Sequence, residues 1–245
     1  MPLENYPLFP EYDLSKAQVV DAGILSKLFN QTKDICIFDK TRPAFSGVFL
    51  EGENGKITAV STDGHRLIVA DEQTNLNFPG KIIPYFSANF ISNISPGKIG
   101  ITISKEFMAL HDRNWVFFTK FIEGKFPDYK CVIPESDYDC YSLDSLVLKK
   151  AIKRSKSKEI TINYQAGNCF LSSTQDYGGK IYQEELPCER LSGISPEIKV
   201  KINSKYLLDA IAKSSNIKML NHGAGCAVTM YDNPDYRHII MPVRE

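Results

Sequence analysis

Basic side chains are concentrated in one short stretch of the chain. They are Lys149, Lys150, Lys153, Arg154, Lys156 and Lys158. On a helix, Lys149, Lys153 and Lys156 lie on one side at i, i+4 and i+7, so their ammonium groups can follow a phosphate backbone without reading bases. The same pattern is also typical of a helix face that is merely solvated. The residues alone leave both interpretations open.

The patterns that common catalytic and metal sites require do not occur. Residues 52–58 contain a Gly-Lys pair without the spacing or the Ser/Thr of a phosphate-binding loop, and no Gly-x-Ser-x-Gly elbow is present. The four histidines and six cysteines show no metal-ligand spacing and no Cys-x-x-Cys pair. Acidic residues stand mostly at predicted turns. We therefore expect no enzyme, no metal and no cofactor, and we expect free thiols.

Two other segments allow a structural and a functional interpretation. The stretch from Thr62 to Leu67 is either a tight hairpin whose His65 and Arg66 face water, or the rim of a binding site. The stretch from Ile239 to Arg244 is either a last core strand or, from Met241, an apolar tail that lines a groove. Sequence chemistry does not choose between these interpretations.

Length and composition limit the class of protein. The 245 residues contain 29 basic and 29 acidic side chains, so DNA contact requires local segregation of charge. With 43% hydrophobic and 24% charged residues the chain is typical of a folded protein, and its length favours two domains. No apolar run is long enough for a membrane span, and no signal peptide is evident. We expect a cytoplasmic protein without a membrane partner.

The elements that must position these residues recur four times as one helix followed by three strands. Predicted helices lie near residues 23–33, 85–94, 143–156 and 203–214, and a strand before each would complete a βαβββ unit. Asn54-Gly55 and Asp63-Gly64 are signals of type I′ hairpins, and Gly178-Gly179 predicts a further turn. We place a domain boundary near Ile133-Pro134, which gives domains 1–133 and 134–245.

Four segments resemble motifs of the bacterial DNA polymerase III beta subunit, the beta sliding clamp, in that family's order. They are Thr41-Arg42-Pro43 with Gly47-Val48, Val60 to Leu67, Glu123 to Tyr129, and Met241 to Arg244. The resemblance covers essentially the whole chain, but only the second and third of the family's three domains. It implies an α+β DNA clamp (processivity) fold. Two similar domains, each built from two βαβββ units, would place helices along a DNA channel and antiparallel sheets outside.

The resemblance also implies partners and sites. Double-stranded DNA would pass through a ring, and a pocket between the two domains would bind short linear motifs of DNA polymerase and clamp-loader subunits. Implied pocket residues are Thr62, Gly64, His65, Arg66, Leu67, Pro127, Val132, Asn203, Tyr206, Ile240, Met241, Pro242, Val243 and Arg244. The expected DNA-contacting residues are Lys27, Lys33, Lys149, Lys150, Lys153, Arg154, Lys156, Lys205 and Lys213.

Ring closure in that family requires six domains, whereas the resemblance covers two per copy. We therefore expect a head-to-tail homotrimer with heterologous interfaces. The alternative is a truncated, monomeric clamp-like module that binds polymerase or clamp-loader peptides without encircling DNA.

Overall fold

The structure is a computed structural model of the 245-residue chain. It describes residues 17–134, 139–165, 168–174, 181–193, 195, 197–212, 216–222 and 226–243. The predicted turn at Gly178-Gly179 lies outside these residues. Within them, no helix has the length and apolar character that crossing a membrane would require.

The first half of the chain contains two successive βαβββ units, as predicted. The first unit comprises β1 (Gln18–Asp21), α1 (Ala22–Thr32), β2 (Gly47–Glu53), β3 (Lys56–Thr62) and β4 (Arg66–Gln73). The second comprises β5 (Phe78–Pro84), α2 (Tyr85–Ile91), β6 (Lys98–Ile103), β7 (Phe107–His111) and β8 (Val116–Lys120). Helix α2 is shorter than predicted, because the backbone after Ile91 tightens into i→i−3 hydrogen bonds at Asn93 and Ile94.

The second half repeats this order with one additional strand. Its first unit comprises β9 (Asp139–Asp144), α3 (Ser145–Ser155), β10 (Glu159–Gln165), β11 (Asn168–Thr174) and β12 (Ile181–Leu186). After β13 (Cys188–Ser192), the last unit comprises β14 (Glu197–Asn203), α4 (Ser204–Ala210), β15 (Asn216–Asn221), β16 (Val228–Tyr231) and β17 (Tyr236–Ile240). Strand β13 was not predicted, and α4 ends earlier than expected.

Side chains at the helix starts explain why the helices begin where they do. The carboxylate of Asp21 accepts a hydrogen bond from the Gly23 N–H at 2.8 Å, and Asp144 caps α3 through the Val147 N–H at the same distance. Asn203 caps α4 by accepting from the Lys205 N–H at 2.9 Å. These caps satisfy backbone donors that a helix leaves without a partner in its first turn. Helix α4 begins at Ser204, next to the predicted residue 203.

The strands form three antiparallel sheets. Two have four strands, in the orders β1-β6-β7-β8 and β12-β11-β10-β14. The third has nine, in the order β13-β9-β15-β16-β17-β4-β3-β2-β5. It continues from one half of the chain into the other because β17 pairs with β4, in a register that runs from Tyr236 opposite Ala70 to Ile240 opposite Arg66.

This register places the helices of both halves on one face of the nine-stranded sheet. Directly opposed residues of an antiparallel pair project to the same face. Ala70 and Tyr236 face the core that α1 and α2 cover, and Ile240 faces the core that α3 and α4 cover. Leu67 and Ile239 point to the opposite face, into a third cluster that includes Phe126 and Tyr129. All four helices therefore share one side of the sheet.

Packing also buries two cysteine thiols and raises their pKa values. Cys169 is fully buried in the second core, and burial raises the pKa of its thiol to about 12. Burial raises the pKa of Cys36 to about 12 as well. Both thiols are therefore protonated at neutral pH. All six cysteines are free, as the sequence indicated.

A buried carboxylate links the two halves beside the β4–β17 pair. Asp71 is 7% exposed and accepts a hydrogen bond from the Thr58 hydroxyl at 2.7 Å. Its Oδ2 lies 3.2 Å from the Arg237 guanidinium of β17 and 3.3 Å from Lys56 Nζ. One carboxylate therefore bridges a cation of β3 and a cation of β17.

Replacing Asp71 with alanine should lower the free energy of unfolding by about 2 kcal/mol, because Thr58 and Arg237 would lose their shared partner in a largely buried site. Urea denaturation measures this change. Asp232→Ala, at an exposed turn position, is the matched control and should change stability by less than about 0.5 kcal/mol. Equal effects of the two substitutions would contradict this role of Asp71.

Candidate functional site

The hairpin between β3 and β4 is a three-residue loop held by side-chain hydrogen bonds. Asp63 Oδ1 accepts from the N–H groups of His65 at 2.9 Å and Arg66 at 3.0 Å. The Thr62 hydroxyl accepts from the Gly64 N–H at 3.0 Å and donates to the Arg66 carbonyl at 2.7 Å. Gly64 and His65 are thereby held at the exposed tip.

The type I′ prediction is confirmed at one hairpin and wrong at the other. Asn54 and Gly55 have φ of 55° and 79°, as a type I′ turn requires. At the second hairpin only Gly64, with φ of 91°, lies in the left-handed region. This hairpin has a three-residue loop instead of a two-residue turn. The Asp63 carboxylate stabilises the loop by accepting hydrogen bonds from two successive N–H groups.

Arg66 does not face water, so the plain hairpin interpretation is wrong for this residue. Its side chain is 7% exposed, with Nε 2.9 Å from Asp63 Oδ2 and a terminal nitrogen 2.5 Å from Asp209 Oδ2 of α4. The guanidinium also lies 4.4 Å from the centroid of the Tyr206 ring. Burial raises the pKa of Tyr206. The hairpin and α4 are therefore connected through one buried cation.

The chain after β17 runs between the hairpin and β14. The Met241 N–H donates to the His65 carbonyl at 3.0 Å, and the Val243 N–H donates to the Lys201 carbonyl at 2.8 Å. Ile240 is fully buried, whereas Met241 is 38% exposed. Pro242 and Val243 are half-buried, and Arg244 lies outside the described residues. The strand interpretation therefore holds up to Ile240, and Met241 to Val243 follow it as a partly exposed apolar segment.

The connector after β8 reaches the same region from the other face of the sheet. Phe126 and Tyr129 are buried in the cluster that contains Leu67 and Ile239. Phe126 stacks on Phe49 at 4.9 Å between ring centroids. The neighbouring predicted residues Pro127 and Val132 are exposed.

The predicted pocket residues thus form two groups. On the helix face, Arg66 meets Tyr206, while Asn203 uses its side chain to cap α4. On the opposite face, Leu67 lies beside the connector. His65 and Met241 are joined by a backbone hydrogen bond. Of the predicted pocket residues, Pro127, Val132 and Met241 expose apolar side chains, whereas Leu67 and Ile240 are buried.

Sequence reasoning missed Asp209, the partner that fixes Arg66 from 143 positions further along the chain. A carboxylate on a short helix carries no local signal of such a contact. It also missed the exposed aromatic residues Phe38, Phe86 and Phe90, which are 68%, 73% and 47% exposed.

The basic segment coincides with α3 for most of its length. Lys150 and Lys153 are exposed and Lys149 is half-buried, and none of the three has an ion-pair partner among the described residues. Arg154 is different, because it bonds Glu184 and Tyr182 of β12. The bonds from Arg154 and then from Tyr182 hold the pKa of Glu184 below its ordinary value.

The predicted stripe of Lys149, Lys153 and Lys156 is wrong at its last member. Helix α3 ends at Ser155, and Lys156 adopts a left-handed conformation with φ of 52°. A residue in that conformation terminates the helix, so its side chain does not continue the row. Lys156 is nevertheless exposed.

The basic residues on or beside the other helices differ in exposure and in ion pairing. Lys27 is ion-paired with Glu72, and Lys33 lies 3.1 Å from Asp34 with only 14% of its side chain exposed. Lys205 is exposed in the first turn of α4, and Lys213 lies outside the described residues. Among the described residues, no group of three potential metal ligands comes together.

Comparison with known proteins shows which proteins this chain resembles. Residues 20–128 match the family model of the DNA polymerase III beta subunit, central domain. The chain is 29% identical to the beta sliding clamp of Treponema pallidum, with 98% of this chain and 69% of the relative covered. It is 23% identical to that of Caulobacter vibrioides, with 100% and 70% covered.

Solved structures show the same fold. The crystal structure of the DNA polymerase III subunit beta from Pseudomonas aeruginosa superposes with a TM-score of 0.88 at 21% identity, covering 100% of this chain and 71% of that one. The corresponding Thermotoga maritima structure gives 0.87 at 21% identity, covering 100% and 70%. The expected DNA clamp fold is confirmed. The chain is therefore similar to bacterial beta sliding clamps along its whole length, and residues 20–128 match the central domain of the DNA polymerase III beta subunit.

Proposed function

We propose that this protein is a DNA sliding clamp, a non-enzymatic processivity factor that acts in the cytoplasm, encircles duplex DNA and tethers DNA polymerase through a peptide pocket. The observation that carries the proposal is the position of all four helices on one face of a sheet that runs through both halves of the chain. Such a surface can line a channel on one side and present sheets and loops outside. Relatives matched along the whole chain bear the name beta sliding clamp.

Contact with DNA would be electrostatic and independent of base sequence. Lys149, Lys150 and Lys153 of α3 carry charges that no described carboxylate neutralises. The chain as a whole has no net charge, so a local group of free ammonium ions is the feature that can attract phosphates. Lys156 and Lys205 are exposed and can add to this group, whereas Lys27, Lys33 and Arg154 are already paired.

Replacing Lys149, Lys150 and Lys153 with glutamine should reduce the slope of log Kd against log salt by about 2 to 3 for a linear duplex oligonucleotide, since each phosphate contact contributes about 0.9. Fluorescence anisotropy over a salt series measures the slope. Arg154→Gln is the matched control, because Glu184 already holds that guanidinium, and it should change the slope by less than about 0.5. If the triple variant leaves the slope unchanged, α3 is only a solvated surface.

Partner proteins would bind at the hairpin and the tail. Met241, Pro242 and Val243 provide an apolar segment that is partly exposed and held in place by backbone hydrogen bonds to His65 and Lys201. On the connector, Val132 provides further exposed apolar surface, and Leu67 is buried in the cluster that the connector residues Phe126 and Tyr129 share. We assign this surface to short apolar motifs of DNA polymerase and clamp-loader subunits.

Replacing Met241 and Pro242 together with alanine should weaken binding of a polymerase-derived motif peptide by about 1 to 3 kcal/mol if they are central anchors. Isothermal titration calorimetry measures the affinity. Leu191→Ala, which truncates a side chain of similar exposure on β13, is the control and should leave the affinity unchanged. An unchanged affinity of the Met241/Pro242 variant would place the pocket elsewhere.

We further propose that copies of the chain assemble head to tail into a homotrimer, because three copies of two clamp domains each provide the six domains of the family's ring. The two cores, one in each half of the chain, support the division into domains 1–133 and 134–245. A single-copy mass at every concentration would contradict the homotrimer. It would favour the alternative, a monomeric module that binds partner peptides without encircling DNA.

A further inference from the structure

A cavity of about 760 Å³ lies at a corner of the first half of the chain, where strand β5 approaches the turn between β6 and β7. Strand β5 is one end of the nine-stranded sheet, whereas β6, β7 and β8 belong to a smaller sheet. This corner cavity is lined by β5, the β6–β7 turn, the end of β8 and the connector that follows β8. Its volume is typical of ligand sites, which measure about 300 to 1,000 Å³.

Backbone hydrogen bonds hold the walls of the corner cavity in place. The Ile122 N–H donates to the Ile82 carbonyl of β5 at 2.9 Å, and the Phe121 N–H donates to the Glu106 carbonyl of the β6–β7 turn at 3.0 Å. The connector then turns at Gly124, whose φ of 120° lies in the region that favours glycine. The cavity is therefore formed before a ligand binds, which lowers the entropic cost of binding.

The floor of the corner cavity is aromatic and aliphatic. Phe49 and Ile82 are directly opposed residues of β2 and β5, and Phe49 stacks on Phe126 at 4.9 Å between ring centroids. A Cβ atom at Gly80 would lie 2.1 Å from Cζ of Phe49, so glycine leaves room for this ring. Phe49 and Phe121 are half-buried, so part of each ring is open to contact. An apolar side chain of a ligand can therefore pack here.

The rim of the corner cavity carries an excess of positive charge. Four lysines and two glutamates line the cavity, namely Lys81, Lys105, Lys120, Lys125, Glu106 and Glu123. Within the described residues, none of these lysines has an ion-pair partner. Lys81 Nζ is fixed in position, because it donates to the Lys105 carbonyl at 2.8 Å and lies 5.1 Å from the centroid of the Phe121 ring. The rim therefore offers unpaired ammonium groups directly beside an apolar floor.

Acidic peptides and nucleic acids both combine negative charge with groups that can pack on such a floor, and the position of the corner cavity favours a peptide. Phe49, Ile82 and Phe126 belong to the cluster on the sheet face opposite to the four helices, whereas the proposed DNA channel is on the helix side. Duplex DNA inside a ring does not reach this face. A protein that approaches from outside does reach it.

We propose that the corner cavity binds an acidic peptide segment of a partner protein, with a phenylalanine or branched aliphatic side chain on the floor and carboxylates at Lys81, Lys105 and Lys125. The site is separate from the surface proposed for short apolar motifs, since none of the predicted pocket residues lines the cavity. The two sites adjoin, because Phe126 lines the cavity and Pro127, a predicted pocket residue, follows it in the connector.

Fluorescence anisotropy of a labelled peptide, Asp-Glu-Phe-Glu-Asp, tests the chemistry of the site on the full chain. Two peptides with the same fluorophore are its controls. Asn-Gln-Phe-Gln-Asn removes the charges, and Asp-Glu-Ala-Glu-Asp removes the aromatic ring. Each control should bind at least about tenfold more weakly than the acidic phenylalanine peptide, because charge attraction and apolar contact both contribute to its affinity.

Lys105→Glu with Lys125→Glu reverses two charges at the rim of the corner cavity. Both side chains are exposed, so circular dichroism and thermal unfolding should show an intact fold. The affinity for the acidic peptide should fall at least about tenfold, since like charges across an interface repel. Lys98→Glu with Lys199→Glu is the matched control. It makes the same change of net charge at exposed positions outside the cavity, and it should alter the affinity by less than about twofold because salt screens distant charges.

Four results would overturn this assignment. If the acidic peptide binds no more tightly than its uncharged control, the lysines do not form a site for carboxylates. If the Lys98/Lys199 variant weakens binding as much as the Lys105/Lys125 variant, the attraction is a property of overall charge. If an excess of the polymerase-derived motif peptide displaces the acidic peptide, the acidic peptide occupies the motif surface. If single-stranded oligothymidylate displaces it, and the Lys105/Lys125 variant also loses the oligonucleotide, the cavity recognises nucleic-acid phosphates.

The motif peptide itself distinguishes this proposal from the proposed function. Calorimetry should give the same affinity of the motif peptide for the Lys105/Lys125 variant and for the unmodified chain, because the two sites are separate. A loss of both peptides from that variant would show that the corner cavity is not an independent site.

Discussion

The antiparallel pair between β4 and β17 is the interaction on which the rest of this structure depends. It joins strands from the two halves of the chain into one sheet, and its register decides which residues face the helices. With Ile240 opposite Arg66, both cores lie on one face of the sheet, and the connector cluster lies on the other. A shift of one residue would exchange these two sets of side chains. The common side of the four helices follows from this register.

Much of the fold could be predicted from local signals. Helix periodicity, aliphatic strands and the Asn54-Gly55 turn produced the repeated unit in its correct order, because these signals lie within a few residues of one another. The pairing of strands was not accessible in this way. In both halves, the strand before one helix pairs with a strand that follows the other helix, as β1 does with β6. The spacing of residues along the sequence does not indicate this pairing.

The candidate site was also only partly predictable, because its local motifs can be found in the sequence and its long-range contacts cannot. The hairpin and tail motifs were found through resemblance to a family, whereas the partners that define their chemistry lie far away in sequence. Arg66 was expected to be either solvated or at a rim, and the structure buries it against Asp63, Asp209 and Tyr206. The predicted row of lysines on α3 was wrong at Lys156, because the periodicity argument assumed that the helix continues past Ser155. Charge alone also did not show that Arg154 is held by Glu184.

We infer that these helices line a channel around duplex DNA. Electron microscopy of the purified chain, with class averages calculated without imposed symmetry, tests this claim most directly. We predict closed particles of six similar lobes around a central hole that is wide enough for a DNA duplex. Compact two-lobed particles, or open filaments without a hole, would contradict it.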